Sequence, residues 1–141
     1  MLIMLMYGST ATHPMSEKEL LEILEVSRRN NGKDNVTGML LYGGGNFLQV
    51  LEGEEADVMA LYQKIGRDLR HHHVSMISNR TVRERHFGDW QMGFVNLDEI
   101  NPAEIPGYSE FLKTPLDARE FFDNPGFAHR FLQVFKDITY N

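Results

Sequence analysis

The sequence predicts a single α+β domain whose elements follow the order βαββαββ. Three patterns support this fold class: two stretches with helical spacing of apolar residues, apolar runs of strand length around them, and a glycine-rich turn between two such runs. The chain has 141 residues, which suits one domain with a real hydrophobic core. We therefore expect one sheet with two helices packed on it.

A strand and a helix open the chain. Residues 2–7 are apolar at both odd and even positions, which is typical of a strand that is covered on both faces. A short buried helix is the weaker interpretation. Ser16 and Glu19 form a capping-box pattern that begins helix one. Its inward stripe comprises Leu20, Ile23, Leu24 and Ser27. Asn30 and Asn31 are expected to end its last turn.

Two strand-like runs within residues 35–54 are joined by Gly43, Gly44 and Gly45. Glycine supplies the positive φ that a tight hairpin needs, so we predict strands two and three as a hairpin. A phosphate-binding loop is the alternative, but neither a Lys-Ser or Lys-Thr pair nor a helix follows directly. Gln49 lies in the middle of the second run, between inward-facing Phe47 and Leu51. An unpaired buried amide costs roughly 1–3 kcal/mol, so Gln49 needs partners.

The second half of the chain predicts a further helix and two strands. Apolar residues at helical spacing predict helix two over residues 55–69. Residues 74–80 and 87–96 are predicted as strands four and five, the last with Trp90 and Met92 on one face. Residues 98–141 are predicted to form a helical extension. Its apolar stripe either covers the open face of the sheet or forms an interface with another chain.

Composition excludes several function classes. The chain contains no cysteine, which excludes disulfides, thiolate metal sites and flavin-to-thiol adducts. The net charge of −6, without a basic tract, argues against nucleic acid. The apolar first ten residues are too short to span a bilayer and lack the features of a signal peptide. We expect a cytoplasmic protein without a membrane partner.

Two clusters of polar residues are predicted to have neither a metal-binding nor a catalytic role. Consecutive histidines at positions 71–73 cannot all face one side, and no further ligand lies at a recognised spacing, so we predict a polar turn and no metal site. Glu52, Glu54 and Glu55 are predicted to be solvated side chains at the end of a strand.

A different set of polar residues replaces apolar ones in the predicted core. Tyr7 ends strand one, and its hydroxyl group reaches the Gln49 amide if strands one and three are neighbours. The amide still has unused donor and acceptor capacity. A flat ligand with a polar edge, held between the helices, would use that capacity. Ile23 and Ile65 would then form its apolar walls, and Asn31 would bind its rim.

Six segments, in this order and at this spacing, carry a resemblance to a known family. They are Tyr7-Gly8-Ser9, Ser27-Arg28-Arg29-Asn30-Asn31, Asn35-Val36-Thr37-Gly38-Met39-Leu40, Phe47-Leu48-Gln49-Val50-Leu51-Glu52-Gly53, Asp68-Leu69-Arg70-His71-His72 and Phe87-Gly88-Asp89-Trp90-Gln91-Met92. Together they resemble the BLUF domains, blue-light sensors that use FAD, over residues 2–97. One departure is Gln91, where the family usually has serine or alanine, so contacts of the outer face of strand five do not carry over.

The resemblance implies a ferredoxin-like sheet of five mixed strands, two helices on one face, and a flavin ring between those helices. Lys64, Arg70 and His71 would lie near the ribityl or phosphate portion of FAD. The cofactor-binding residues implied in this way are Ile23, Ser27, Asn30, Asn31, Leu40, Phe47, Gln49, Lys64, Ile65, Asp68, Arg70 and His71.

The resemblance also implies a photochemical pair and a switch. Light would drive an electron and a proton from Tyr7, and Gln49 would be left rotated or tautomerised; the sequence leaves both outcomes open. The absence of cysteine agrees with non-covalent chemistry. Trp90 and Met92 would be the switch residues that pass the change through strand five to the C-terminal helices.

The expected protein is a stand-alone receptor rather than an enzyme. Residues 1–97 would form the photosensor domain and residues 98–141 the extension, with a downstream signalling protein and further copies of the chain as partners. The alternative is a light-insensitive ligand sensor or an acylphosphatase-like enzyme on the same fold. An acylphosphatase needs an arginine in its phosphate loop, and residues 8–13 contain none.

Overall fold

The computed structural model of the chain describes residues 1–88 and 92–96. Five strands and two helices alternate in the predicted order βαββαββ. They are β1 (Leu2–Ala11), α1 (Glu17–Asp34), β2 (Thr37–Gly43), β3 (Asn46–Glu54), α2 (Glu55–Gly66), β4 (His71–Thr81) and β5 (Gly93–Asn96). Within these residues no helix is both long enough and apolar enough to cross a membrane.

The strands form one mixed sheet in the order β4-β1-β3-β2-β5. All neighbouring pairs are antiparallel except β2 and β5, which run parallel. The predicted five-stranded mixed sheet is therefore confirmed. The β2–β3 hairpin is confirmed as well, because Gly44 and Gly45 have φ angles of 56° and 80° in the turn between the strands.

Both helices pack against one face of the sheet. Alternate residues of β1, including Ile3, Leu5 and Tyr7, join one core cluster with Leu24 of α1 and Val58 of α2. The opposite face is also buried; its side chains include Met4, Met6, Met39, Leu41, Leu48 and Val50. The side chains on both faces of the central strands are thus buried, as the apolar residues at both odd and even positions of β1 predict.

The helix ends differ from the prediction. Asn30 and Asn31 do not end α1, which continues to Asp34 and is capped by Asn35 in the left-handed conformation. The two asparagines therefore lie inside the helix, where their side chains turn toward the neighbouring cleft instead of capping the chain. Helix α2 ends at Gly66 rather than residue 69, and Leu69 is 89% exposed.

The strand predictions need three corrections. β1 continues past Tyr7 to Ala11 and offers a long pairing edge to β4. The three histidines are consequently part of β4 rather than a turn, because Ala11 and Thr10 pair with His71 and His72. Strand five is confirmed only over its four described residues, since Phe87 precedes it outside any strand. Trp90 and the extension over residues 98–141 lie outside the described residues.

The prediction that Glu52 is solvated is wrong. Its side chain is fully buried on the sheet face opposite the helices. Each carboxylate oxygen accepts a hydrogen bond, one from the backbone N–H of His86 at 2.7 Å and one from that of Phe87 at 2.6 Å. Arg85 adds hydrogen bonds to the Thr37 hydroxyl and the Glu52 carbonyl at 2.8 and 3.0 Å. Glu52 therefore anchors the segment that follows β4. Glu54 and Glu55 are exposed, as predicted.

Candidate functional site

A hydrogen-bonded pair of side chains lies at the centre of the sheet. Tyr7 and Gln49 face each other directly in the antiparallel β1–β3 register. The Tyr7 hydroxyl donates to Oε1 of Gln49, and the two residues are 3% and 4% exposed. Burial raises the pKa of Tyr7 above its ordinary value, with smaller contributions from Tyr62 and Asp68. Tyr7 consequently keeps its proton and acts as the donor of this bond.

The amide nitrogen of Gln49 has a partner from β5. Gln49 Nε2 donates to the Met92 sulfur at 3.3 Å, and Met92 is 2% exposed. A primary amide has two hydrogens and two acceptor lone pairs, and these contacts use one of each. Gln49 therefore keeps capacity for a ligand in the cleft that it lines.

Helix α1 forms one side of this cleft. Its start is set by the capping box of Ser16 and Glu19, which the structure confirms. The residues of α1 that line the cleft are Ile23, Val26, Ser27, Asn30 and Asn31. Asn31 is only 1% exposed, so a polar amide lies deep between the helix and the sheet.

Helix α2 and the chain after it form the other side and the mouth. Leu61, Lys64 and Ile65 line the cleft from α2. Beyond the helix, Arg70 donates to both carboxylate oxygens of Asp68, with 2.9 Å from Nε to Oδ1. These hydrogen bonds from Arg70 lower the pKa of Asp68 below its ordinary range. The mouth of the cleft therefore carries the cationic side chains of Lys64 and Arg70 and the carboxylate of Asp68.

His71 connects the cleft to three elements. Its Nε2 lies 2.6 Å from the carbonyl of Ile65 in α2, and its Nδ1 lies 2.8 Å from the Ser9 hydroxyl in β1. A carbonyl only accepts, so Nε2 carries a hydrogen and donates it to Ile65. The ring also lies edge-on to Tyr7 and Phe47 at centroid distances of 6.4 and 6.3 Å. His71 thus holds the end of α2 against the sheet.

The structure brings the predicted cofactor-binding residues together around one cleft between α1, α2 and the sheet, with about 760 Å³ of space including its open mouth. They are Ile23, Ser27, Asn30, Asn31, Leu40, Phe47, Gln49, Lys64, Ile65, Asp68, Arg70 and His71, and Tyr7 of the predicted photochemical pair lines the same cleft. Of the two predicted switch residues, Met92 contacts Gln49, and Trp90 lies outside the described residues.

Several residues of the site were not predicted from the sequence. Val26 and Leu61 also line the cleft, and their spacing from Ile23 and Ile65 along the helices is the signal that indicates them. Ser9 contacts His71 across the sheet, and no local pattern marks that pairing. Within residues 1–88 and 92–96, no three His, Asp or Glu side chains are grouped to hold a metal ion.

The chemistry of the cleft fits a flavin. Ile23 and Ile65 are apolar walls on facing helices, which suits a flat aromatic ring. Gln49 and Asn31 present buried amides that can pair with the polar edge of such a ring. Cationic Lys64 and Arg70 can attract the phosphate groups of a nucleotide tail.

Comparisons with known proteins agree with this arrangement. A family model described as "BLUF: Sensors of blue-light using FAD" matches residues 2–93. The photoactivated adenylate cyclase subunit alpha of Euglena gracilis is 42% identical over 87 residues, which cover 62% of this chain and 8% of that protein. The blue light- and temperature-regulated antirepressor BluF of Escherichia coli K12 is 33% identical over 129 residues, 86% of this chain and 32% of that protein.

A solved structure, "BlrB - a BLUF protein, dark state structure", matches with a TM-score of 0.73 and 25% identity, over 90% of this chain and 93% of that chain. The chain therefore spans less than a third of the length of these two curated relatives but nearly all of this solved chain.

Proposed function

Since this chain belongs to the BLUF family of flavin-using blue-light sensors, we propose that it binds FAD non-covalently between α1 and α2 and reports blue light through β5. The observation that carries the proposal is the hydrogen-bonded series that runs from Tyr7 and Gln49, which line the cleft, to Met92. It joins an oxidisable phenol to a strand at the edge of the sheet.

We assign the cleft residues to parts of FAD by their chemistry. Ile23 and Ile65 hold the ring from two sides, and Asn31 pairs with its pyrimidine edge, with Asn30 nearby. Ser27, Leu40 and Phe47 complete the ring pocket. Lys64, Arg70 and His71 face the ribityl or phosphate portion, with Asp68 orienting Arg70. Two cationic side chains at the mouth can each pair with one of the two phosphate groups of FAD.

A bound flavin absorbs blue light and, when excited, is a strong one-electron oxidant. Tyr7 would supply that electron, and its phenolic proton would move along the existing hydrogen bond toward Oε1 of Gln49. When the electron and a proton return to Tyr7, Gln49 would be left rotated or tautomerised. A rotated Gln49 places its oxygen against the Met92 sulfur, and both atoms are acceptors, so the N–H···S bond is lost.

Loss of that bond is the step that carries the signal. Met92 immediately precedes β5, and within residues 1–88 and 92–96 β5 pairs with β2 alone. A change at Met92 therefore acts on a short edge strand. We propose that Trp90 takes part in this switch and that residues 98–141 form the extension beyond the photosensor domain of residues 1–97. A downstream signalling protein, a homo-oligomeric state and a cytoplasmic location stay predictions.

An absorption spectrum before and after blue light tests the proposal. Purified protein should be yellow and should show a small, reversible red shift of its flavin band, with FAD as the extracted chromophore. Tyr7→Phe and Gln49→Leu should bind flavin and lack the shift.

The control variant is Tyr62→Phe. The Tyr62 ring lies 5.6 Å from that of Tyr7 and carries a second phenol beside the same pair. This variant should keep the shift. A normal photocycle in Gln49→Leu would refute the assigned role, and a colourless or light-insensitive wild type would favour the small-ligand sensor.

A further inference from the structure

Arg28 makes a contact that links α1 to the start of β5. Its Nε donates to the backbone carbonyl of Met92 at 3.0 Å, across 64 positions in sequence. Arg28 lies in the same turn of α1 as Ser27 and Asn31, which line the cleft. One helix therefore forms a wall of the cleft and also holds the main chain that leads into β5.

Met92 is held at two points. Arg28 binds its carbonyl oxygen, and Gln49 donates to its sulfur at 3.3 Å. The two bonds differ in strength, because a guanidinium N–H is a charged donor to a good acceptor, whereas a thioether is a weak acceptor. The Arg28 bond is thus the firmer anchor, and it keeps the sulfur within reach of the Gln49 amide.

Among the described residues, β5 is a short strand at the edge of the sheet. It has four residues, and its ladder pairs with β2 alone, from Met39 opposite Gly93 to Tyr42 opposite Asn96. Short strands at a sheet edge open locally more easily than central strands. The charged hydrogen bond from Arg28 to the residue directly before the strand therefore adds to its local stability.

We propose that Arg28 is a positioning residue of the light switch. It fixes the Met92 main chain so that the sulfur meets Gln49 in the dark, and it makes α1 the fixed point against which β5 moves when that bond changes. The second part of this inference rests on the proposed photoreceptor function. The first part, an anchor of β5, does not.

Hydrogen exchange of the backbone amides of β5, measured in the dark and under blue light, tests the inference. In Arg28→Met, which keeps the apolar stem and removes the donor, dark exchange at Gly93–Asn96 should be about tenfold faster, the value for loss of one charged hydrogen bond. The difference between light and dark in that segment should fall to within error. Arg28→Lys keeps a charged donor and should restore most of both quantities.

Arg29→Met is the matched control. Arg29 is the next residue of the same helix, and its side chain forms an exposed ion pair with Glu25 at 3.4 Å. Arg29→Met changes the charge and the helix propensity by the same amount as Arg28→Met, but it should leave hydrogen exchange in β5 as in wild type. Wild-type exchange in Arg28→Met, or equal acceleration in Arg29→Met, would overturn the inference.

Different results would contradict the photoreceptor function and the anchoring of β5 by Arg28. A wild-type protein with no red shift under blue light would end the photoreceptor proposal, while dark exchange in Arg28→Met still decides whether the anchor exists. Loss of bound flavin in Arg28→Met with normal β5 exchange would overturn the anchor, because Arg28 would then act in cofactor binding.

Discussion

Gly38 in β2 should not tolerate even a methyl group. A Cβ at this position would lie 1.9 Å from the carbonyl oxygen of Val50 and 3.0 Å from its carbonyl carbon. Both atoms belong to the backbone of β3, so relief requires the two strands to move apart by about 1 Å against the close packing of the core. Losing two ladder hydrogen bonds costs roughly 1 kcal/mol each, and overpacking adds about 1–3 kcal/mol. Gly38→Ala should therefore cost about 3–5 kcal/mol.

Thermal unfolding followed by circular dichroism measures this cost. For a chain of this size, about 3 °C is lost per kcal/mol, so the midpoint should fall by roughly 10 °C or more. Gly66→Ala is the matched control, because an added Cβ there meets no atom within 4 Å. That control should change the free energy of unfolding by less than about 1 kcal/mol. Equal midpoints for the two variants would show that the strands do not approach this closely.

Two further predictions concern the switch and the buried carboxylate. Met92→Leu keeps the volume but removes the acceptor of the Gln49 amide, so the light-induced change in β5 hydrogen exchange should disappear, while a preserved change would contradict the role of the sulfur. Burial raises the pKa of Glu52, an effect that the amides of His86 and Phe87 partly offset. Because the pKa of Glu52 is higher in the folded protein than in the unfolded chain, its protonation stabilises the fold. This stabilisation is complete below the pKa of the unfolded chain, about 4.3, and is lost as the pH rises through the pKa of the folded protein. Urea unfolding between pH 4 and 8 should therefore show wild type losing stability relative to Glu52→Gln as pH rises, and a difference independent of pH would contradict this.

The features that follow from local periodicity were predictable. Alternation in β1 and β3 and the glycine turn before β3 indicate which residues share a face, so the Tyr7–Gln49 contact follows if β1 and β3 are neighbours, which the sheet shows. Helical spacing in the same way placed Ile23 and Ile65 on the facing sides of α1 and α2. Other residues of the cleft, such as Lys64, Asp68 and Arg70, follow from the family resemblance and not from periodicity.

The remaining features depend on contacts between distant segments. Glu52 is paired with amides 34 and 35 positions away, and nothing in its own strand distinguishes it from a solvated glutamate. The histidines of β4 form a strand because β1 extends beyond its apolar run, so that Thr10 and Ala11 pair with His72 and His71. The bond from Arg28 to Met92 joins a helix surface to a main-chain carbonyl, which carries no side-chain signature.

The chemistry of its two neighbours determines which way the Gln49 amide points. A thioether can only accept, whereas the Tyr7 hydroxyl can both donate and accept. With Oε1 toward Tyr7 and Nε2 toward Met92, both neighbours are satisfied. In the reversed amide the Tyr7 oxygen can still accept from Nε2, but the oxygen of Gln49 faces sulfur and that contact is lost. The protein alone therefore favours the observed orientation by about one weak hydrogen bond, roughly 1 kcal/mol. Met92 thus biases the side chains of this site toward the orientation that we assign to the dark state, so the return of Gln49 after light needs no further partner to give it direction.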